Sequence, residues 1–306
     1  MQALLKALTR LILRAFFKPF IGPPFPVGFQ RRWLTILTTG AAPPKGIESS
    51  DVWAGDIRMV RHREGLGPGP AEPADRDAIL YVHGGGFVAG SAAGYAGIAG
   101  WLAQLTGADV LVPEYRLAPE HAYPAATDDV FAAYRAVLEL GYSPRRTAVV
   151  ADSAGGTLAV STVRVLPEMN LPSPAAVVLI SPWLDLTLTS SSVAANARRD
   201  PMLRRSWLEQ AAVSYAGELR RSDPRVSPLF ADLSNLPPTL IQVGSDEILL
   251  DDSIRFADRA WAAGAEVELQ RFDGWWHDFQ TSAAMLRPAR DALVDVAGFL
   301  KRRLDD

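Results

Sequence analysis

Residues 148–157 read Ala148-Val-Val-Ala-Asp-Ser-Ala-Gly-Gly-Thr157. The small and β-branched run ending at Ala151 has the character of a short strand buried on both faces. Asp152 and Ser153 follow, and then Ala154, Gly155 and Gly156, small enough for a helix to begin close against the strand it leaves. A strand that turns directly into a helix strains its middle residue and presents that residue's side chain at the turn, here the Ser153 hydroxyl. The stretch predicts a strand–turn–helix unit, although an ordinary Gly-rich turn would share its composition.

Working outward, the same alternation recurs. Short apolar runs rich in Val, Ile and Leu predict strands at 78–82, 110–112, 148–151, 175–180, 239–243 and 267–272. Helical stretches fall between them at 92–105, 124–140, 154–166, 253–263 and 288–303. Strand–helix alternation of this kind predicts one doubly wound α/β domain with a mostly parallel sheet. A polar, partly helical insertion at 184–236 interrupts it, and a Gly/Pro-rich loop lies at 65–73.

Composition narrows the function. The chain has 306 residues, 48% of them hydrophobic, which is enough for a large core and excludes disorder over most of its length. With 31 Lys+Arg against 34 Asp+Glu the net charge is −3, so no basic field is available for nucleic acid. The absence of cysteine removes disulfides, thiolate nucleophiles and zinc sites with sulfur ligands. Imidazole chemistry is confined to His62, His83, His121 and His277.

Three further stretches can carry chemistry beside Ser153. Tyr81-Val-His-Gly-Gly-Gly-Phe87 follows a strand, and its glycines can turn backbone N–H groups toward one point, as a developing oxyanion requires. A phosphate cradle is the rival reading, but no Gly-Lys-Ser/Thr follows. Gly274-Trp-Trp-His277-Asp-Phe279 lies in the loop after the last strand, at the sheet edge where α/β proteins place reacting groups. The order serine, acid, histidine then asks for a carboxylate after the preceding strand. Asp246, Glu247, Asp251 and Asp252 all lie there. Asp251 and Asp252 open a helix and are explained as its N-terminal capping and dipole partners; spacing does not choose between Asp246 and Glu247.

These stretches, with Glu114-Tyr-Arg-Leu-Ala-Pro-Glu120, Tyr123-Pro-Ala125 and Ser181-Pro-Trp-Leu-Asp185, resemble the bacterial hormone-sensitive lipase family of esterases, in family order from about residue 78 to 280. The resemblance implies an α/β-hydrolase fold with a helical cap, Ser153 as nucleophile and His277 as general base. It also implies an oxyanion hole from the N–H groups of Gly85, Gly86 and Ala154, supported by His83 and Gly84. Ala151 stands where the family's elbow has glycine. The family's acid motif, aligned without gaps, falls on Glu247, with Asp246 its rival; either carboxylate can orient an imidazole. The implied activity is hydrolysis of short- to medium-chain esters of small-molecule substrates, with no metal or cofactor. An amidase, lactonase or carbohydrate acetylesterase would use the same triad, and a ligand-binding protein of the same fold is the non-catalytic alternative. Phe87 and Trp276 are candidate pocket walls.

Residues 1–50 would form the N-terminal part of the cap, 51–306 the catalytic domain, and 184–236 a further part of the cap. At the N-terminus, Lys6, Arg10, Arg14 and Lys18 repeat every four residues among leucines and phenylalanines. This is a basic amphipathic helix, too often interrupted by charge for a membrane span or a signal peptide. It fits either packing on the protein's own apolar surface or peripheral contact of residues 1–20 with an anionic membrane. The default location is cytoplasmic, and a homodimer is a candidate assembly.

Overall fold

The computed structural model describes residues 1–38, 42–65 and 73–304. Most of the Gly/Pro-rich loop read at 65–73 lies outside the described residues. Among the described residues one sheet holds the strands β1 (Ile47–Ala54), β2 (Ile57–Glu64), β3 (Ala78–Val82), β4 (Asp109–Pro113), β5 (Thr147–Asp152), β6 (Ala176–Ile180), β7 (Thr239–Gly244) and β8 (Val267–Phe272). Their order is β1-β2-β4-β3-β5-β6-β7-β8. β1 and β2 are antiparallel to each other and β2 to β4; every later pairing is parallel.

The helices are α1 (Gln2–Ile12), α2 (Val27–Thr38), α3 (Ala96–Thr106), α4 (Ala125–Glu139), α5 (Ala154–Val165), α6 (Ser191–Ala195), α7 (Arg205–Ala216), α8 (Leu250–Ala262) and α9 (Arg287–Leu304). All six predicted strands and all five predicted helices between them are present, with small shifts at their ends. The helix expected from residue 92 begins at Ala96, after a single 3-10 turn at Ala93–Tyr95.

The central strands are apolar on both faces because each face is covered. Leu80, Val82, Val149, Ala151, Val177 and Leu179 point to one core, with Val130 and Tyr134 of α4, Leu158 of α5 and Phe256 of α8. Their alternates Ile79, Tyr81, Ala148, Val150, Val178 and Ile180 meet Leu102 of α3 and Leu293, Val296 and Leu300 of α9. Each large aliphatic side chain so buried contributes roughly 1.5–3 kcal/mol. β1 and β2 were not expected from the sequence. They carry Glu48, Asp51, Arg58, Arg61 and Arg63, and β1 is mostly exposed. Such an edge hairpin is protected from further pairing by its charges, and those charges hide it from a search for apolar runs.

One buried carboxylate ties this edge to the sheet. Asp109 at the start of β4 is fully buried and receives Arg63 Nε at 3.1 Å, Arg76 Nε at 3.0 Å and the Tyr142 hydroxyl at 2.6 Å. Burial alone would raise its pKa, but the hydrogen bonds from Arg63, Tyr142 and Arg76 prevail and hold it below the ordinary range. The Asp109→Ala variant should lose about 3 kcal/mol in urea unfolding at neutral pH, the cost of leaving buried partners unpaired. A loss within experimental error would show that the arginines are satisfied by solvent instead.

Candidate active site

The turn after β5 folds as it does because of two glycines. A Cβ on Gly155 would lie 2.1 Å from the Val82 carbonyl oxygen, and one on Gly156 would lie 2.7 Å from Pro182 Cβ. α5 can therefore start directly against β3 only with glycine at these positions. Ser153 takes φ 50°, ψ −123° at the bend. Its N–H donates to Ile180 O, and its carbonyl accepts from the N–H groups of Gly156 and Trp183. The strained conformation is held by backbone on both sides. Ala151 is fully buried in the core, so its methyl is accommodated where the family has glycine.

Ser153 Oγ lies 2.9 Å from His277 Nε2, and His277 Nδ1 lies 2.8 Å from Glu247 Oε2. The other Glu247 oxygen accepts from Ser181 Oγ at 2.9 Å and from the Gly244 N–H at 2.6 Å. With Oε1 satisfied, Oε2 faces Nδ1 as an acceptor, so Nδ1 carries a proton, and Nε2 faces the serine hydroxyl. Burial pushes the Glu247 carboxyl up, against the opposing pull of the His277 hydrogen bond. Asp246 turns away and pairs with Arg10 at 2.7 Å. Of the two neighbours, Glu247 is the one brought to the imidazole.

The glycine loop after β3 packs on the same turn. A Cβ on Gly84 would lie 2.3 Å from Asp152 Oδ2 and 2.9 Å from Ser153 Cβ, and one on Gly85 would lie 2.2 Å from Ala89 O. Gly85 and Gly86 have φ of 111° and 64°. Among the described residues their N–H groups donate to no protein acceptor, whereas the Gly84 N–H donates to Asp152 Oδ1 at 3.0 Å. Ala154 is the first residue of α5, where the N–H has no acceptor within the helix. His83 is buried between the rings of Tyr115 and Tyr95, with Nδ1 2.8 Å from the Gly84 carbonyl oxygen. Burial lowers its pKa to about 4, so it is a neutral donor that braces the loop.

Phe87 stacks on Tyr215 of α7 at 3.8 Å and leans on Trp183. Trp276 is buried among Trp275, Phe279 and Leu286. Both rings are thus packed against other apolar side chains. Trp207 of α7 closes on Gly86, where an added Cβ would meet its ring at 3.3 Å. Arg31 of α2 donates to the carbonyls of Val88 and Ala118. α1, α2 and α7 therefore meet the loops at the C-terminal edge of the sheet.

The sequence reading missed several residues that hold this site. Ser181, with φ 45°, joins Glu247 to the Asp278 N–H through its hydroxyl. Asp152 accepts from Tyr81 and Gly84 and so links the elbow to the glycine loop. Asp200 accepts from the N–H groups of Met202, Leu203 and Ile248, fastening the insertion to the acid loop. Asp278, beside the catalytic candidate in sequence, has Oδ2 3.0 Å from His277 Nε2. Asp251 and Asp252 need a correction. They lie in the first turn of α8, but the helix has no side-chain cap there. Asp251 accepts from Ser191 and Ser192, and Asp252 from Leu184, Asp185 and Ser190, so both tether the insertion. Among the described residues no group of three or more His, Asp or Glu is arranged to hold a metal ion.

Comparison with known proteins points the same way. Residues 79–281 match the family model for the alpha/beta hydrolase fold. The chain is 40% identical over 230 residues to an esterase of Acinetobacter venetianus, covering 75% of this chain and 76% of that one. It is 36% identical over 247 residues to an acetyl-hydrolase of Streptomyces hygroscopicus, covering 81% and 82%. A crystal structure of an esterase from the bacterial hormone-sensitive lipase family superposes with a TM-score of 0.89 at 33% identity, covering 98% of this chain and 97% of that one.

The two acids can be separated by rate. Glu247→Gln should lower kcat by about three to four orders of magnitude, the cost of losing tautomer control and the counter-charge. Asp246→Asn should cost far less, because it loosens only the Arg10 contact. A larger loss in Asp246→Asn, measured on folded protein, would contradict the geometry.

Proposed function

The chain belongs to the hormone-sensitive lipase family of α/β-hydrolase esterases and is a carboxylic ester hydrolase, and from that premise we propose that it is a serine carboxylesterase acting on short- to medium-chain esters through an acyl-enzyme. The observation that carries this reading is the relay from Ser153 Oγ to His277 to Glu247, with distances of 2.9 and 2.8 Å. His277 Nε2 takes the Ser153 proton as Oγ attacks the ester carbonyl carbon. The N–H groups of Gly85, Gly86 and Ala154 receive the developing oxyanion, each worth about 3 kcal/mol in the transition state. Nε2–H then protonates the leaving alcohol, and the same nitrogen activates water to release the acid. No step needs a metal or organic cofactor.

The chain-length preference rests on the helices at the mouth. α1, α2 and α7 cover the edge where Ser153 sits, forming a cap with the insertion around α6 and α7, and a covered site favours compact acyl groups. The name of the Streptomyces relative, an acetyl-hydrolase, supports the same preference. Hydrolysis of p-nitrophenyl esters from acetate to palmitate should peak at short or medium chains. Ser153→Ala should lower the rate by about three or more orders of magnitude. Faster turnover of the longest chains would refute the covered pocket, and an active Ser153→Ala would refute the nucleophile.

A further inference from the structure

Asp278 lies in the left-handed region at φ 51°, ψ 35°, and this aims its carboxyl group back at the imidazole of the residue before it. Oδ2 lies 3.0 Å from His277 Nε2, the atom that also meets Ser153. The side chain is 8% exposed, and among the described residues Oδ1 has no hydrogen-bond partner. The neighbouring buried carboxylates are better provided. Asp152 at the end of β5 accepts from Tyr81 and Gly84 at Oδ1, although its Oδ2 has no partner among the described residues. Asp200, between α6 and α7, accepts three backbone N–H groups, and Glu247 after β7 accepts from Ser181 and Gly244. Among the described residues the Asp278 carboxyl group has only Nε2, within ion-pair distance. A buried carboxylate facing the lone pair of a neutral imidazole would be an unpaired charge, so a proton must stand between them.

We propose that Asp278 holds this proton on His277 Nε2 in the resting enzyme, and that the free base needed by Ser153 appears only as the pH rises and the proton leaves for solvent. During turnover the same carboxylate faces the imidazolium formed when Nε2 takes the serine proton, until that proton passes to the leaving alcohol. The inference rests on the triad reading above. In support, burial would lower the His277 pKa, but the charge and hydrogen bond of Asp278, followed by Glu247, outweigh it and hold the group well above its usual range. Glu247, Asp278, Asp152 and Asp200 are the carboxyl groups that interact electrostatically with the ring. The direction follows: a raised base pKa moves the acid limb of the rate profile to higher pH.

The test is kcat/KM against pH for the full chain, Asp278→Asn and Asp278→Gly. Asparagine and glycine both tolerate the left-handed backbone, so neither variant should distort the turn. The acid limb should move about 1–3 pH units lower in both variants. An acid limb that stays in place while Ser153→Ala is inactive would overturn the role of Asp278 alone. An active Ser153→Ala would instead overturn the triad reading beneath it.

The polarity of α1 and the turn after it (residues 13–18) is the reverse of that expected for a docked amphipathic helix. The cations face the protein: Arg10 bonds Asp246 and Arg199 O, Arg14 bonds the carbonyls of Arg198 and Arg199, Lys18 bonds those of Ala197 and Asp200, and Lys6 sits 4.0 Å over the Trp275 ring. Its apolar side faces outward, with Leu4 74%, Leu8 50% and Leu11 62% exposed. The following turn adds exposed Phe16, and Trp33 of α2 joins it by a bond to the Phe16 carbonyl, beside Phe20 and Phe29. Residues 1–47 contain Lys6, Arg10, Arg14, Lys18, Arg31, Arg32 and Lys45 but no Asp or Glu. Of these, only Arg10 and Arg31 are paired with carboxylates among the described residues.

We infer that this outward face docks on an anionic phospholipid surface, its leucines and aromatics entering the headgroup boundary above a positive field. A second copy would bring the same positive charge and be repelled. The full chain should sediment with phosphatidylglycerol vesicles and much less with phosphatidylcholine vesicles. Leu8→Asp and Leu11→Asp, both on the exposed side, should each weaken sedimentation about tenfold while leaving hydrolysis of a soluble ester unchanged. No sedimentation with either lipid, or equal sedimentation with both, would overturn the proposal. So would a concentration-dependent dimer that the two variants abolish.

Discussion

The arrangement depends on one close approach, that of α5 to β3 at Gly155. Any side chain there would collide with the Val82 carbonyl, so the helix could not begin where β5 ends. Because it does begin there, Ser153 is bent into positive φ and its N–H reaches Ile180 O across β6. Gly84 makes the complementary approach from the other side, against Asp152 and Ser153. The elbow and the glycine loop are thereby fixed to each other before any substrate arrives, which is what preorganised stabilisation of an oxyanion demands.

The second constraint is electrostatic. Four buried carboxyl groups, Asp152, Asp200, Glu247 and Asp278, surround one imidazole. Burial raises the pKa of Asp152, Asp200 and Glu247, and each is held by backbone or hydroxyl donors that also join separate loops. The hydrogen bonds that make these charges tolerable therefore carry the architecture of the site. The insertion contributes through Asp200 and Asn196, whose side chain donates to the carbonyls of Ser245 and Glu247. Arg10 and Lys6 bring α1 into the same network. A charge-rich interior of this kind serves reactivity at the expense of stability.

What the sequence made legible follows from what each residue depends on. The central strands were readable because burial on both faces leaves an unbroken apolar run, and Ser153, His277 and the pair Asp246 and Glu247 because their loops follow such strands; only the family motif separated Glu247 from Asp246. β1 and β2 were not, since an edge hairpin protects itself with the arginines and acids that resemble a loop. Ser181 reaches Glu247 only through a backbone at φ 45°, and Asp278 turns to its neighbour only through φ 51°. Sequence periodicity does not report such angles at non-glycine residues. The period of α1 was plain, but period alone cannot say which face turns inward. Here the surface beneath offers carbonyls, Asp246 and an indole ring, and it takes the cations.

The most direct measurement is to treat the full chain with a fluorophosphonate, digest it and locate the adduct by mass spectrometry. A single adduct on Ser153, formed in parallel with loss of ester hydrolysis and absent from Ser153→Ala, is the expected result. Hydrolysis that survives while Ser153 stays unmodified, or an adduct on another residue, would contradict the assignment of Ser153 as the nucleophile.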